Sequence, residues 1–120
     1  MELQSLISKV LNFRKERDWE QFHSPRNLAL SIVLESAELL EIFQWKTDAE
    51  SDKLLSDPIQ VENLRDELSD IFLYILLMAN DLNIDVLESA DKKIDKNALK
   101  YPVKKVKGKA LKYTDRKSVV

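Results

Sequence analysis

Two short acidic motifs hold the side chains whose type and spacing could do chemistry. Each pairs two carboxylates three residues apart, Glu35 with Glu38 and Glu67 with Asp70. On a helix such residues are surface neighbours, with about 5–6 Å between their Cβ atoms. Both motifs stand among Leu, Ile, Val and Phe residues that require burial, and carboxylates beside a buried face are costly unless something neutralises them. A divalent cation would do so, and the four carboxylates are therefore interpreted as a metal site.

The ligand types indicate which metal such a site would hold. Carboxylates suit hard cations, Mg²⁺ first and Mn²⁺ as a substitute. The chain has no cysteine, and its single histidine, His23, lies outside both motifs, which disfavours thiolate zinc sites and Glu-x-x-His di-iron sites. With one glycine there is no Gly-rich phosphate loop, so a phosphate would be held by metal and by Lys or Arg side chains. These features favour Mg²⁺-dependent phosphoryl or nucleotidyl chemistry.

Helices must position these motifs, because one glycine and three prolines leave little room for the turns of an all-β fold. Apolar residues at helical spacing, together with Ser-Pro, Asp-Pro and Asp-x-x-Glu start signals, predict an all-α chain with four helices. We place the helices at residues 2–18, 25–45, 58–82 and 86–99. The polar segment 46–57 is predicted to be a loop that can hold a helical turn, and 18–23 a loop or short turn.

The second and third helices each carry one narrow polar stripe. At 100° per residue the first stripe spans an arc of about 120° and the second lies within about 60° of Glu67. A surface helix is normally polar over a wider face, so we interpret the stripes as facing an internal site, with an exposed acidic face as the alternative. The stripe residues are Asn27, Ser31, Glu35, Glu38 and Glu41, and then Asn63, Glu67, Asp70, Tyr74 and Asp81.

Charge is distributed unevenly along the chain. Residues 35–70 hold eleven acidic and three basic residues, whereas residues 101–120 hold seven Lys or Arg and one acid. The acidic part would repel a nucleic-acid polymer, which is therefore not an expected partner. We predict one helical domain over residues 1–102, followed by a basic, partly mobile tail over residues 103–120.

The sequence predicts a cytoplasmic protein without a membrane partner. The apolar run at residues 71–79 is too short to span a bilayer. The N-terminus lacks the basic start of a signal peptide.

The acidic motifs and their flanks resemble a known family. Glu35-x-x-Glu38 followed by Glu67-x-x-Asp70 is similar to the signature of the MazG-like all-α nucleoside triphosphate pyrophosphohydrolases. The segments Arg17-Asp-Trp-Glu-Gln-Phe-His-Ser-Pro-Arg-Asn-Leu28, Phe43-Gln-Trp-Lys-Thr-Asp48 and Lys100-Tyr-Pro102 resemble the dCTP pyrophosphatase branch of that family. The resemblance extends from about residue 3 to about residue 114.

The resemblance implies a fold, an activity and a metal. The protomer would be a four-helix α-bundle that oligomerises, commonly as a tetramer. It would hydrolyse dCTP, or a modified dCTP, between the α and β phosphates to dCMP and diphosphate, which cleanses the nucleotide pool. Glu35, Glu38, Glu67 and Asp70 match the Mg²⁺ ligands, and either Glu35 or Glu38 would also accept the proton of the attacking water.

The resemblance also implies which residues bind the substrate. Trp19, His23, Trp45 and Tyr74 match residues that shape the nucleoside pocket. Lys93 and Asn97 match the helix that faces the phosphates, and Arg26 and Lys46 are phosphate partners by position only. Val10 stands where the branch can carry a histidine, which leaves the nucleobase specificity open and makes methylated cytosine nucleotides further candidates.

Three alternatives stay open at this point. The chain could be a non-catalytic helical interaction module whose basic tail binds an acidic partner. It could perform the same chemistry on another nucleotide, such as dUTP or a damaged purine nucleotide. The aromatic residues assigned to the pocket could instead pack in the core or at a subunit interface.

Overall fold

The computed structural model describes residues 1–110, and every regular element in that range is helical. The predicted all-α class and its four long helices are confirmed. A 3₁₀ turn at Glu20–Phe22 joins the first two helices. In chain order the helices are α1 (Leu3–Glu16), α2 (Pro25–Glu41), α3 (Asp48–Leu54), α4 (Pro58–Asp81), α5 (Val86–Lys100) and α6 (Val103–Val106).

Side-chain caps begin three of the four long helices, α2, α4 and α5, at the predicted residues. Each cap accepts a backbone N–H of the first turn at 3.0–3.1 Å, which satisfies a donor that has no partner inside the helix. The three capping residues are Ser24, Asp57 and Asp85. A cap of this kind contributes about 1 kcal/mol, so these helix starts are set by local sequence.

The second helix ends earlier than the sequence predicts, at Glu41 rather than near residue 45. The next N–H groups donate to carbonyls three residues back, Phe43 to Leu40 at 2.9 Å and Lys46 to Phe43 at 2.9 Å. These tight turns replace the last helical turn. Trp45 therefore lies in the connection after α2 and not on the helix.

The connecting segment forms a full short helix, α3, where the sequence predicts a loop with at most a helical turn. A capping box explains it, because Thr47 Oγ1 accepts the Glu50 N–H at 3.2 Å and Glu50 Oε1 accepts the Thr47 N–H at 3.4 Å. Lys53 in the last turn complements the helix dipole. Leu54 is buried and anchors the helix.

The core lies where α4 packs against α2 and α1. Its buried centre consists of Val10, Leu28 and Leu77, one residue from each of the three helices. Partly buried side chains surround this centre, namely Leu11, Leu73, Tyr74 and Met78. Because Tyr74 belongs to this shell, the packing that forms the core also places the polar stripe of α4 beside α1 and α2.

The chain divides into two compact units. The first is Met1–Ile84 and contains α1 to α4, and the second begins at Asp85 and contains α5 and α6. The predicted division into a domain at 1–102 and a tail at 103–120 stays a prediction, and residues 111–120 of that tail lie outside the described residues. Among the helices of residues 1–110, none has the length and apolar character needed to cross a bilayer.

Candidate active site

Three of the four motif carboxylates converge between α2 and α4. Glu35, Glu38 and Glu67 each offer one carboxylate oxygen, and these oxygens lie within 4.8 Å of one another. Glu35 and Glu67 are half-buried, whereas Glu38 is exposed. The i, i+3 spacing on α2 supplies two members of the group, and the packing of α4 against α2 supplies the third.

The fourth motif carboxylate, Asp70, lies outside this group. It is exposed, one turn after Glu67 on α4, and lines the cavity that adjoins the cluster. Its charge still acts on the cluster, since it helps to raise the pKa values of Glu35 and Glu67. Asp70 therefore stands at the boundary between the carboxylates and the cavity.

The cluster is electrostatically strained without a cation. Burial, and then the carboxyls of Glu67 and Glu38, raise the pKa of Glu35 to about 7. Burial also raises the pKa of Glu67. The Oε2 atoms of both residues are buried and have no hydrogen-bond partner among the described residues. An all-oxygen donor set with unsatisfied buried lone pairs fits a hard divalent cation.

The raised pKa of Glu35 predicts a pH dependence of stability in the absence of metal. The pKa is about 7 in the folded protein, above its ordinary value of 4.5, so the folded state binds the proton more tightly than the unfolded state. The free energy of unfolding should therefore fall as pH rises from about 4.5 to about 7. Glu35→Gln should lose this pH-dependent fall in the free energy of unfolding. At pH 8 in EDTA it should therefore unfold at a higher urea concentration than the wild type.

The matched control for this measurement is Glu62→Gln. Glu62 is an exposed carboxylate of α4 outside the cluster. Urea titrations at pH 5 and pH 8 compare the wild type with both variants. Parallel pH dependences for the wild type and Glu35→Gln would contradict the prediction.

An open cavity of about 460 Å³ adjoins the carboxylates, within the size range of small-molecule sites. Glu35 and Asp70 line it on the carboxylate side. Most of the remaining wall is apolar or aromatic and comes from α1, from the segment between α1 and α2, and from α4. These wall residues are Leu6, Lys9, Val10, Phe13, Arg14, Trp19, His23, Leu73, Tyr74 and Leu77.

Three of the predicted nucleoside-pocket residues meet in this wall. The ring centroid of His23 lies 6.5 Å from that of Trp19 and 6.3 Å from that of Tyr74. Trp19 is 42% exposed, so it does not serve as a core residue in the chain by itself. Aromatic faces at an open cavity next to a cation site could stack on a nucleobase.

The end of α1 explains the position of Trp19. Asp18 adopts a left-handed conformation with φ +55°, and the N–H of Trp19 donates to the carbonyl of Arg14 at 3.1 Å. The N–H of Asp18 donates to the carbonyl of Lys15 at 3.0 Å, which completes a Schellman cap. The ring of Trp19 packs edge-on against Phe13 with centroids 5.8 Å apart, as the apolar contact of this motif requires.

The surroundings of His23 favour the neutral form of its imidazole. Burial lowers its pKa, the charge of Arg14 lowers it further, and the charge of Asp81 opposes the change. Its Nδ1 atom is buried and has no hydrogen-bond partner among the described residues. The orientation of the ring therefore depends on packing against its neighbours.

Three other predicted residues, all in the first unit, do not line the cavity. Trp45 is 87% exposed and does not line the cavity. Arg26 and Lys46 are exposed. Lys93 and Asn97 lie on α5, in the second unit, where the neighbouring Lys100 above all lowers the pKa of Lys93. The binding roles of these residues stay predictions.

Sequence reasoning missed the ion pair between Arg14, which lines the cavity, and Asp81. Arg14 Nη1 and Nη2 donate to the two carboxylate oxygens of Asp81 at 2.7 and 2.8 Å. These hydrogen bonds hold the pKa of Asp81 below its ordinary value. One signal was present, because Arg14 follows Leu3, Ile7 and Val10 on the apolar face of α1.

Comparison with known proteins gives consistent matches. A model of the MazG-like family matches residues 30–115. The chain is 46% identical over 103 residues to dCTP pyrophosphatase 1 of Rattus norvegicus and 42% identical over 103 residues to that of Homo sapiens. Each alignment covers 86% of this chain and 61% of the relative, so the chain spans about three fifths of the length of these relatives.

A solved structure is similar over almost its full length. A pyrophosphatase from Archaeoglobus fulgidus superposes with a TM-score of 0.78 at 36% sequence identity. The match covers 83% of this chain and 92% of that chain. The fold of this chain is therefore similar to that of a protein described as a pyrophosphatase.

Proposed function

Because this chain belongs to the MazG-like family, we propose that it is a Mg²⁺-dependent nucleoside triphosphate pyrophosphohydrolase with dCTP as its preferred substrate. The reaction is dCTP and water to dCMP and diphosphate, with cleavage between the α and β phosphates. One observation carries the proposal: three converging carboxylates adjoin a cavity of about 460 Å³ with an aromatic wall. This arrangement can hold the charged and the aromatic ends of a nucleotide at once.

Glu35, Glu38 and Glu67 are the proposed metal ligands, and Asp70 completes the set from the edge of the cavity. When bound there, Mg²⁺ supplies charge neutralisation for the phosphates and lowers the pKa of coordinated water. The buried and unpaired Oε2 atoms of Glu35 and Glu67 support this assignment.

The carboxylates of α2 also supply the proton acceptor for the attacking water. Glu35 is the residue that the geometry favours, because its Oε2 has no hydrogen-bond partner among the described residues and it lines the cavity. Glu38 is the second candidate on the same helix.

The nucleoside is proposed to bind in the cavity against Trp19, His23 and Tyr74. Trp45, Lys93 and Asn97 are proposed substrate contacts on the strength of the family resemblance alone. Val10 contributes apolar surface to the same wall, which suits a methyl group on the base. Methylated dCTP therefore belongs among the substrates to be tested.

A substrate panel tests the proposed function. The eight common nucleoside triphosphates and 5-methyl-dCTP are incubated with the protein and Mg²⁺, and diphosphate release is followed. We expect dCTP or its methylated form to be hydrolysed fastest, with dCMP or its methylated form as the second product. Equal activity on all nucleotides would support the pyrophosphohydrolase reaction but would contradict the proposed preference for dCTP. Absence of diphosphate release with every nucleotide would refute the enzyme and favour the interaction module.

We propose that the protein works as an oligomer, with a tetramer as the expected form. In the first unit α2 buries only Leu28 and leaves a row of large apolar side chains exposed. Apolar surface of this kind usually marks an interface. The exposed residues of α2 are Leu30, Val33, Leu34 and Leu40, of which Val33 is 63% exposed.

Light scattering at micromolar concentration measures the oligomeric state. The wild type should have a mass of about four chains, because the exposed apolar row of α2 requires a covering surface. Val33→Glu should shift the mass toward smaller species, whereas Asp66→Asn, a change at an exposed polar position of α4, should not. A stable wild-type monomer would refute the proposal.

The proposed location is the cytoplasm. A chain without cysteine has no disulfide that would require an oxidising compartment.

A further inference from the structure

One buried side chain of the cavity wall, Arg14, forms an ion pair with Asp81 that the proposed chemistry does not use. Arg14 is 7% exposed and holds Asp81 through two parallel hydrogen bonds, at 2.7 and 2.8 Å. The two residues are 67 positions apart in the chain and tie α1 to the last turn of α4. Arg14 Nε is buried without a partner, so Asp81 is its one ion-pair partner among the described residues. A buried charge held this way depends strongly on its partner.

Arg14 also determines where Trp19 stands. Its carbonyl accepts the N–H of Trp19, and this hydrogen bond closes the cap of α1. The side chain of Arg14 thus contacts α4 through Asp81, and its main-chain carbonyl contacts the Trp19 turn. One residue therefore contacts both the last turn of α4 and the start of the Trp19 turn.

His23 stands next to the same pair. The charges of Arg14 and Asp81 both act on its imidazole, in opposite directions. Its ring lies between Trp19 and Tyr74, and its Nδ1 makes no hydrogen bond within the described residues. The ring is therefore held by packing against Trp19 and Tyr74, and the ion pair is the charged group beside it.

The pair is too far along α4 to act on the carboxylates directly. Asp81 follows Asp70 by eleven residues, which is about 16 Å along a helix. Tyr74 lies between them, one turn after Asp70. Both Nη atoms of Arg14 already donate to Asp81, so the proposal gives this arginine no phosphate-binding role.

We propose that Arg14 and Asp81 are positioning residues for the nucleobase wall of the cavity. Their ion pair holds Trp19 and His23 in the orientation that discriminates among nucleobases. This inference rests on the proposed function and names residues that determine the specificity of that same site. Nucleobase selectivity would then depend on the Arg14–Asp81 ion pair as well as on the side chains that contact the substrate.

Three variants change the pair in graded ways. Arg14→Lys keeps the charge and loses the two-pronged geometry. Asp81→Asn keeps the shape and loses the charge. Asp81→Glu keeps both charges and displaces the carboxylate, so it carries the test if Asp81→Asn fails to fold. Arg65→Lys is the matched control, because Arg65 forms an exposed pair with Glu62 at 3.1 Å on α4.

Steady-state kinetics with dCTP and dTTP and a Mg²⁺ titration by calorimetry give the readouts. We expect KM for dCTP to rise about tenfold, the low end of what one pocket contact contributes, and the ratio of kcat/KM for dCTP over dTTP to fall. The kcat for dCTP and the Mg²⁺ affinity should stay within about twofold of the wild type, since the carboxylates are unchanged. The Arg65→Lys control should match the wild type in all of these values.

Other outcomes separate this inference from the proposed function. Variants with lowered thermal stability but unchanged KM and nucleotide ratio would show that the pair is only structural, and would overturn the inference. An equal loss of kcat for both nucleotides with weaker Mg²⁺ binding would place its effect on the carboxylates and would also overturn it. Absence of hydrolysis by the wild type would overturn the proposed function, and the inference with it.

Discussion

Glu38→Gln and Asp70→Asn should each lower the turnover number for dCTP by at least about 100-fold. Both residues are proposed to hold the Mg²⁺ that stabilises charge developing at the reacting phosphate, and losing one such stabilising contact costs about that factor or more. Both substitutions preserve shape and remove one negative charge, so the loss comes from the electrostatics of the site. The measurement is kcat at saturating Mg²⁺, followed by diphosphate release.

The fold should survive both substitutions. The cluster holds several carboxylates that repel one another, and its pKa values are raised for this reason among others. Thermal unfolding in EDTA should therefore give each variant a Tm equal to or above that of the wild type. Asp66→Asn, next to Glu67 but exposed on α4, is the control and should keep normal turnover. Near-normal turnover in both Glu38→Gln and Asp70→Asn would end the metal-site interpretation.

His23→Ala should change the ratio of dCTP to dTTP hydrolysis, and Trp45→Ala should mainly raise KM, by about tenfold. Metal ligands contact only phosphate, which all nucleotides share, so discrimination must come from stacking and from hydrogen bonds to the base edge. A site that hydrogen-bonds its substrate rejects analogues that leave its polar groups unpaired. Glu35→Gln, by contrast, should lower activity on all nucleotides alike.

Phe22→Ala provides the matched control for the pocket. Phe22 is the aromatic neighbour of His23 in the chain, but it is exposed and does not line the cavity. Its loss should leave KM and the nucleotide ratio as they are. If His23→Ala and Trp45→Ala behave in the same way, these side chains are packing residues. The nucleobase contacts would then have to come from a neighbouring subunit or from the basic tail.

The sequence alone determined the four long helices and the starts of α2, α4 and α5. A 3.6-residue apolar period and capping side chains act over a few neighbouring residues. Ser24, Asp57 and Asp85 therefore mark helix starts independently of how the helices pack. The same locality places Glu35 beside Glu38 on one face of α2. The family resemblance came from these local motifs, and the family-model match over residues 30–115 confirmed it.

Local pattern was least reliable where two effects competed. The polar segment before α4 lacks an apolar period, yet the Thr47–Glu50 capping box is sufficient to start α3 there. The apolar period at the end of α2 continues past Glu41, yet three-residue turns end the helix and carry Trp45 away from it. In both places hydrogen bonds donated by main-chain N–H groups outweighed the apolar pattern.

Only the tertiary structure decided which groups meet. The rotation of α4 against α2 brings Glu67 to Glu35 and Glu38 and leaves Asp70 at the cavity edge. The pair of Arg14 and Asp81 joins residues 67 positions apart, a distance over which neither periodicity nor capping has any influence. Local spacing determines which side chains share a face of one helix. Which faces meet is determined by how the helices pack, because burial of the apolar core determines their rotation.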